Sequence, residues 1–573
     1  MTDVLFITPT ASKNAFDESL GTLILTTILR EKGVQADILS FHRIGDTADF
    51  AAFLTSAQEK ITAAKPKIVS FYTRCDCYHI MLKIAEAVKE KLGCYIVFAG
   101  PQADITAKET IAEIPYVDFV CCGEGETTVY PLFSSLLRGE PDLTVRGLVF
   151  RGKEGVTVNP RPDLIADLDN SPLVDYSLFG ENAVYDTSEP FPIDVGRGCP
   201  FGCTYCSTNN FWGRKYRLKS PGRIVEEIRY YHDRYGVEYF AFEHDMFTMN
   251  KKQVTETCRL MRELDFPVKW KCSARIDCID KDLIDTMTDA GLKQLYIGIE
   301  TGSPRMQKLI NKNLKLDGVL DMLSYITSKN LNVIVSFIYG FPEETEQDVS
   351  QTLSLITDIL NLKRVTVQTH LCTFLPGTEL SQRYKDELVP AETFSDITGT
   401  AAIAECADLI DAHPNLFWHF SEYKTELRER LSYFTHFVRF FKLMLPVYRH
   451  YMNHYYTKDN LFRMYCDFVA VNGDNLRGEG KTSEKLLRIL KNDGMLKEFA
   501  KDPCADMLAD AYRLRNARLS VVENRVSSAM EITCISPIDL ERCENLADCP
   551  RGLYMVTYTK DANGALQTSV RRT

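Results

Sequence analysis

The sequence predicts an α/β protein in three parts: a doubly wound parallel sheet, a partial (β/α)6 barrel and a mainly helical C-terminal region ending in a β-hairpin. Two observations carry this. Apolar runs of strand length alternate with helix-length amphipathic stretches from Val4 to Cys121 and again from Ile193 to Thr373, the pattern of strands joined by right-handed crossovers. Beyond about Leu388 the alternation stops, and periodic stretches mix Arg and Lys with Phe, Tyr and Leu. The 573 residues suffice for several domains with their own cores, and the pattern divides them at 1–164, a linker over 165–190, 191–387 and 388–573.

Taken in order, Val4 to Thr8 is a strand, and about Gly21 to Lys32 a helix that Gly33 ends. Ala36 to Phe41, Lys67 to Tyr72, Tyr95 to Ala99 and Asp118 to Cys121 are further strands, with a helix over Tyr78 to Lys91. In such a sheet ligands bind beyond the carboxyl ends of the strands, here the loops Thr8–Ser12, Tyr72–Cys75, Gly100–Ala103 and Gly123–Glu126. The polar, Pro-containing stretch from Ile165 reads as a linker laid over the surface. Ile193 to Val195, Tyr239 to Phe242, Trp270 to Ile276, Leu295 to Ser303, Val333 onward and Thr366 to Thr373 are the six strands of the barrel, with a Pro-initiated helix over Pro221 to Tyr235. Helices are expected over Glu405–Ala412, Glu422–Leu445, Asp459–Val471 and Ser483–Leu496. Asp561-Ala-Asn-Gly564 is a hairpin turn between Gly552–Tyr558 and Ala565–Val570.

Gly196-Arg-Gly-Cys-Pro-Phe-Gly-Cys-Thr-Tyr-Cys-Ser207 is the most informative stretch. Cys199, Cys203 and Cys206 stand in a C-x3-C-x2-C spacing among glycines. A cubane iron–sulfur cluster normally takes four thiolates; a loop offering three leaves one iron open, the mark of a reactive site. Half a zinc site is the alternative for C-x2-C, but no second pair stands at matching spacing. A disulfide framework does not fit cysteines this close together.

This loop, with Tyr205 before its last cysteine, resembles the radical S-adenosylmethionine (SAM) superfamily. Strand ends downstream carry the same resemblance: Glu243-His-Asp245, Arg275, Gly298-Ile-Glu-Thr-Gly302 and Gly340-Phe-Pro-Glu-Glu-Thr345, the last with Glu343 where the family has glycine. The resemblance implies a [4Fe-4S] cluster on Cys199, Cys203 and Cys206, whose fourth iron chelates SAM, and an external electron donor such as flavodoxin or ferredoxin. It implies SAM contacts from Tyr205, Glu243, Asp245, Arg275, Glu300 and Ser336. Phe98-Ala-Gly-Pro-Gln-Ala103 and Val117-Asp-Phe-Val-Cys-Cys-Gly-Glu-Gly-Glu126 resemble turns of the cobalamin-binding domain that precedes many radical SAM domains. Ala99 and Gln102 depart mildly from its Gly-Gly-Pro-His form, and an Asp-x-His-x-x-Gly signature for a cobalt-ligating histidine is absent, as is usual in this branch. The cobalamin contacts so implied are Pro9, Thr10, Tyr72, Thr73, Arg74, Gly100, Pro101, Gln102, Gly123 and Glu124; the alternative is a scaffold with an empty crevice.

A net charge of −11 argues against a general nucleic-acid binder. No apolar run reaches transmembrane length, and the first residues read as a strand and not a secretory signal. Most of the 18 cysteines sit singly in apolar runs, fitting a soluble protein of a reducing cytoplasm. Phe434 to Phe441 is aromatic and basic, either a membrane-surface helix or, more commonly, one packed on the barrel. His413 and His419 offer a metal site or ordinary satisfied histidines. Cys534, Cys543 and Cys549 could carry a second cluster or a hydrogen-atom-donating thiol.

The resemblance therefore implies a cobalamin-dependent radical SAM enzyme, most simply a carbon methyltransferase. An adenosyl radical would take hydrogen from an unactivated carbon of a peptide or small molecule, which would then collect methyl from methylcobalamin. The alternatives are radical modification of a peptide without methyl transfer (epimerisation or cross-linking) and a non-catalytic corrinoid or redox-sensing module.

Overall fold

The computed structural model describes residues 2–10, 20–42, 49–179, 189–395, 397–398, 401–443, 458–476, 510, 513–514, 517–518, 528–533, 554–560 and 566–572. Its N-terminal sheet holds β1 (Val4–Thr10), β2 (Ala36–His42), β3 (Ile68–Tyr72), β4 (Tyr95–Ala99), β5 (Phe119–Cys121), β6 (Leu148–Gly152) and β7 (Gly155–Val158), in the order β2-β1-β3-β4-β5-β6-β7. The first five run parallel, and β6 and β7 are antiparallel additions. The order 2-1-3-4-5 reverses between β1 and β3, so a crevice opens where the chain leaves these strands in opposite directions. The sequence reading missed β6 and β7. Their signal was the two-residue turn Lys153-Glu154 between Gly152 and Gly155, which pair across the hairpin.

The second sheet is built from β8 (Phe191–Asp194), β11 (Tyr239–Glu243), β12 (Lys269–Ala274), β13 (Leu292–Glu300), β14 (Asn332–Tyr339) and β15 (Val365–Leu371), all parallel and in sequential order. Among the described residues β8 and β15 do not pair, so this is an open, six-stranded half-barrel. β9 (Gly196–Arg197) and β10 (Arg217–Leu218) form a small antiparallel clamp beside it. Side-chain alternation follows the pleat. Trp270, Cys272 and Ala274 of β12 join helix residues such as Leu283, Ile284 and Met287 in the main core, so the opposite face of each strand lines the lumen.

The linker is less superficial than its composition suggests. Tyr176 is 2% exposed and donates its hydroxyl to the carbonyl of Pro192, tying the segment to β8. In the C-terminal region the expected helix Glu422–Leu445 is two, Glu426–Arg430 and Phe434–Leu443. The Tyr465 hydroxyl enters the break, donating to Arg430 O at 2.6 Å and accepting from Tyr433 N at 3.4 Å, a side-chain insertion that interrupts the backbone ladder. Phe434, Phe437, Phe440 and Phe441 are buried, with Phe434 4.6 Å from Tyr339 of β14, so this helix packs on the half-barrel and leaves no apolar face for a membrane. Among the described residues no helix is long and apolar enough to span one. A three-stranded antiparallel sheet (Ser528–Thr533, Tyr554–Lys560, Leu566–Arg572) contains the expected hairpin and one further strand. The expected helix 483–496, Cys534, Cys543, Cys549 and the turn 561–564 lie outside the described residues.

Candidate active site

The three cysteines lie on the loop between β9 and β10. The clamp closes so tightly that residue 198 must be glycine: at its φ of +85° a Cβ would sit 1.9 Å from the Lys215 carbonyl oxygen. Asp245 fastens the loop, its Oδ2 accepting from Gly198 N at 3.0 Å and its Oδ1 from the Thr208 hydroxyl at 3.1 Å. Barrel loops hold the far side. Thr204 N donates to Ile310 O at 3.0 Å, Leu380 N to Thr204 O at 2.9 Å, and Asn311 Nδ2 to Gly202 O at 2.8 Å. Cys199, Cys203 and Cys206 are free thiols, each partly exposed. Burial pushes the Cys199 thiol up to about 11, and Cys206, Asp245 and Cys203 add to it; burial likewise raises Cys206. A cation among them would favour their thiolate forms. Among the described residues no three His, Cys, Asp or Glu side chains converge on a single-ion position. A cubane places each thiolate on a different iron and needs no such convergence, so three partly exposed thiols on one short loop fit it.

The SAM-side residues divide into two groups. Glu243 and Asp245 open onto a cavity of about 630 Å3. Tyr205, Arg275 and Glu300 lie by the cysteine loop but outside that cavity's lining. Tyr205 packs edge-on to Phe341, and burial followed by nearby Glu300 and Cys203 raises its hydroxyl. Glu300 is buried, sits at φ +71° where the β13–β14 register slips, and accepts from Lys312 Nζ at 2.9 Å. A non-glycine residue held left-handed at a strand end stores strain of the kind found at functional sites. Ser336 is buried mid-strand between Gly298 and Gln368. Lys312 is a neighbour the sequence reading missed; only its closeness in the chain to the Glu300 segment hinted at it.

Arg275 departs from the expected role. Its guanidinium meets Asp277 through Nε and Nη2, donates to the Lys312 carbonyl and lies 4.0 Å over the Phe201 ring, inside the cysteine loop. Its donors support the loop in place of a ligand carboxylate. Arg275→Ala should therefore lower the iron bound per chain, measured after anaerobic reconstitution; a variant with full iron and weakened SAM binding would return Arg275 to SAM.

The cavity joins both domains. Tyr72, Gly100, Pro101, Gly123 and Glu124 line it from the first sheet, with Leu20, Gly21, Thr22, Ile24 and Leu25 of the helix Leu20–Glu31. Asp194, Arg197, Glu243, His244, Asp245 and Ser273 line it from the half-barrel, and Ser207, Thr208, Phe211 and Trp212 form the wall after the cysteines. Gly100 stands at φ +98°, and a Cβ there would lie 2.7 Å from Thr73 O, so the turn requires glycine for its own backbone. Burial holds His244 neutral, down at about 4.

Several expected corrinoid contacts are used by the protein itself. Thr73 is fully buried, donating to Ala99 O and accepting from Ala103 N. Gln102 donates to Leu416 O at 2.9 Å, and Arg74 pairs with Asp76. Pro9 and Thr10 end β1, with side chains outside the described residues. Glu124 is the largest departure. Its carboxylate, 1% exposed, receives Arg197 and Arg217, each at 2.9 Å, and the Ile165 N–H. Arg197 also meets Glu126 at 2.6 Å and Asp194 at 3.2 Å. Burial works against both charges, yet Arg217 and Arg197 hold Glu124 below its usual range, while Asp194 and Glu126 keep Arg197 firmly protonated. The Gly123–Glu126 turn is thus bolted to the strand that leads into the cysteines. His413 pairs with Glu113 at 2.9 Å and His419 is buried, so these two histidines do not converge on a metal.

Residues 193–356 match the Radical SAM superfamily. An uncharacterized methyltransferase from Pyrococcus horikoshii is 29% identical over 322 residues, covering 56% of this chain and 67% of that one. The anaerobic magnesium-protoporphyrin IX monomethyl ester cyclase of Cereibacter sphaeroides is 26% identical over 56% of this chain, which spans only 54% of the cyclase. Among solved structures, the cobalamin-dependent SAM radical enzyme OxsB, with aqua-cobalamin and SAM bound, superposes over 92% of this chain and 81% of its own at a TM-score of 0.63 and 12% identity, a likeness of fold. Cysteine loop, half-barrel and matched span coincide: residues 193–356 are a radical SAM domain.

Proposed function

We propose that this chain is a cobalamin-dependent radical SAM enzyme that transfers a methyl group to an unactivated carbon. The observation that carries it is the single cavity shared by the carboxyl ends of β3, β4 and β5 and the mouth of the half-barrel, lined at once by Tyr72, Gly100 and Gly123 and by Glu243 and Asp245. Cys199, Cys203 and Cys206 would hold the cluster; Glu243 and Asp245 would meet the SAM ammonium, and Glu300 with Lys312 would flank its other end. When bound, the cluster and SAM supply a radical initiator and the corrinoid a methyl carrier. The chain's own work is placement and exclusion. The Phe211–Trp212 wall and the helix Leu20–Glu31 line two sides of the shared chamber and would narrow the access of water once ligands fill it, so that a radical meets its intended partner first. The likeness to the Pyrococcus methyltransferase and to the OxsB fold supports this reading.

The test is retention. Protein produced with cobalamin supplied should keep about one corrinoid per chain through gel filtration, the one-site stoichiometry of a largely pre-formed pocket. Ala99 lines the cavity at the end of β4, and Ala99→Trp should expel the corrinoid while SAM cleavage to 5′-deoxyadenosine persists. Gly100 is unsuited to this test, because its missing Cβ faces Thr73 backbone. A wild-type protein that retains no corrinoid would move the assignment to radical modification without methyl transfer.

A further inference from the structure

We infer that the lumen of the half-barrel is built to hold an anionic group of the substrate, a carboxylate or phosphate, on Lys271. This rests on reading the lumen as the substrate chamber of the proposed radical enzyme. The residues before and after Lys271, Trp270 and Cys272, pack among the helices, so Lys271 lies on the inner face of β12, between Ala241 of β11 and Gln294 of β13. Ser273, the next residue on that face about 7 Å toward the mouth, lines the shared cavity. Lys271 therefore stands one step below the cavity floor, within reach of a ligand that enters through it.

No carboxylate is bound to it. Lys271 is partly buried and makes no ion pair or hydrogen bond among the described residues. Lysine is seldom taken out of water without a partner. The inner faces of the next strands offer neutral groups: Gln294, Tyr296, Ser336 and Gln368. Of the two carboxylates toward the mouth, Asp194 is already matched to Arg197 and Lys219, and Glu243, one step up β11 from Ala241, forms no ion pair with Lys271 among the described residues. A cation beside the Gln294 amide, with further hydroxyl and amide groups along the same inner face toward the mouth, suits recognition of an anion by charge-assisted hydrogen bonds.

The SAM carboxylate is the other source of such an anion, and the test separates the two. Inorganic phosphate and, in parallel, acetate are titrated by calorimetry into the reconstituted, SAM-saturated wild type and into Lys271→Met, Lys271→Gln and Lys271→Arg. The wild type should bind at least one of the probes; the Met and Gln variants should bind it roughly tenfold more weakly or worse, and Arg should restore binding. SAM affinity should be equal in all four proteins. A SAM affinity that falls with the lysine would give Lys271 to SAM and overturn the proposal, as would anion binding that is absent or the same in every protein. Two neutral variants guard against one that fails to fold. None of these titrations needs the corrinoid, so failure here is distinct from failure of the methyl-transfer reading.

Discussion

Cys203→Ala should abolish iron–sulfur cluster assembly and SAM cleavage to 5′-deoxyadenosine while the protein stays folded. The two halves of this expectation come from different parts of the loop. Cluster binding needs all three thiolates, since each holds its own iron and the fourth must remain open. Loop conformation depends instead on backbone and neighbouring groups: Thr204 N on Ile310 O, Leu380 N on Thr204 O, Asn311 on Gly202 O and Asp245 on Gly198 N. None of these uses a cysteine sulfur, so loss of the Cys203 thiol should leave the melting temperature of the cluster-free protein nearly unchanged. Iron content, the visible spectrum of the reconstituted protein and deoxyadenosine formation read the first half; thermal melting reads the second. Undiminished cleavage in the variant would sink the cluster assignment.

Arg197→Met should weaken both cofactor sites together. Arg197 is 8% exposed and bonds Glu124 and Glu126 of the first domain and Asp194 of the half-barrel. Removing the cation leaves three carboxylates facing one another with only Arg217 and Lys219 to balance them. Breaking a buried ion pair from one side costs about 3–5 kcal/mol, because the remaining charge stays buried without its partner. The cost falls on the joint between the Gly123–Glu126 turn and the strand entering the cysteines. Corrinoid retention and iron content should therefore drop in the same variant, with a lowered denaturation midpoint. Glu124→Gln, which keeps the shape but only one acceptor and turns its NH2 on the donors of Arg217 or Arg197, should do the same. Loss of one cofactor with the other untouched would mean that the joint does not couple the sites.

That coupling is what the chain does not announce in its sequence. The cysteine loop could be read directly because three cysteines at fixed spacing carry the reading themselves. Strand ends such as Glu243 and Glu300 could be placed because apolar runs mark where strands stop. Glu124 and Arg275 meet protein partners that the sequence does not signal, since a charged side chain at a strand end can serve a ligand or a neighbour equally well. Only the packing of one sheet against the other brings Arg197 and Arg217 to Glu124, across 73 and 93 residues of chain. The break after Arg430 was invisible for the same reason: a helical period ran through it, and the tyrosine that interrupts it arrives from 35 residues away. Lys271 was passed over because a lysine in a strand ordinarily faces solvent, and its inward position appears only once Trp270 is seen against the helices.

The central claim is that the corrinoid chamber adjoins the cluster loop, and the spin–spin interaction between the two centres tests it most directly. Protein carrying both groups, frozen with cob(II)alamin and the reduced cluster, is compared by electron paramagnetic resonance with samples in which only one centre is paramagnetic. The cavity lined jointly by Gly100, Gly123, Glu243 and Asp245 predicts that each signal is broadened or split by the other and relaxes faster. Signals that simply add, each unchanged by its neighbour, would contradict adjoining sites and with them the methyl-transfer assignment.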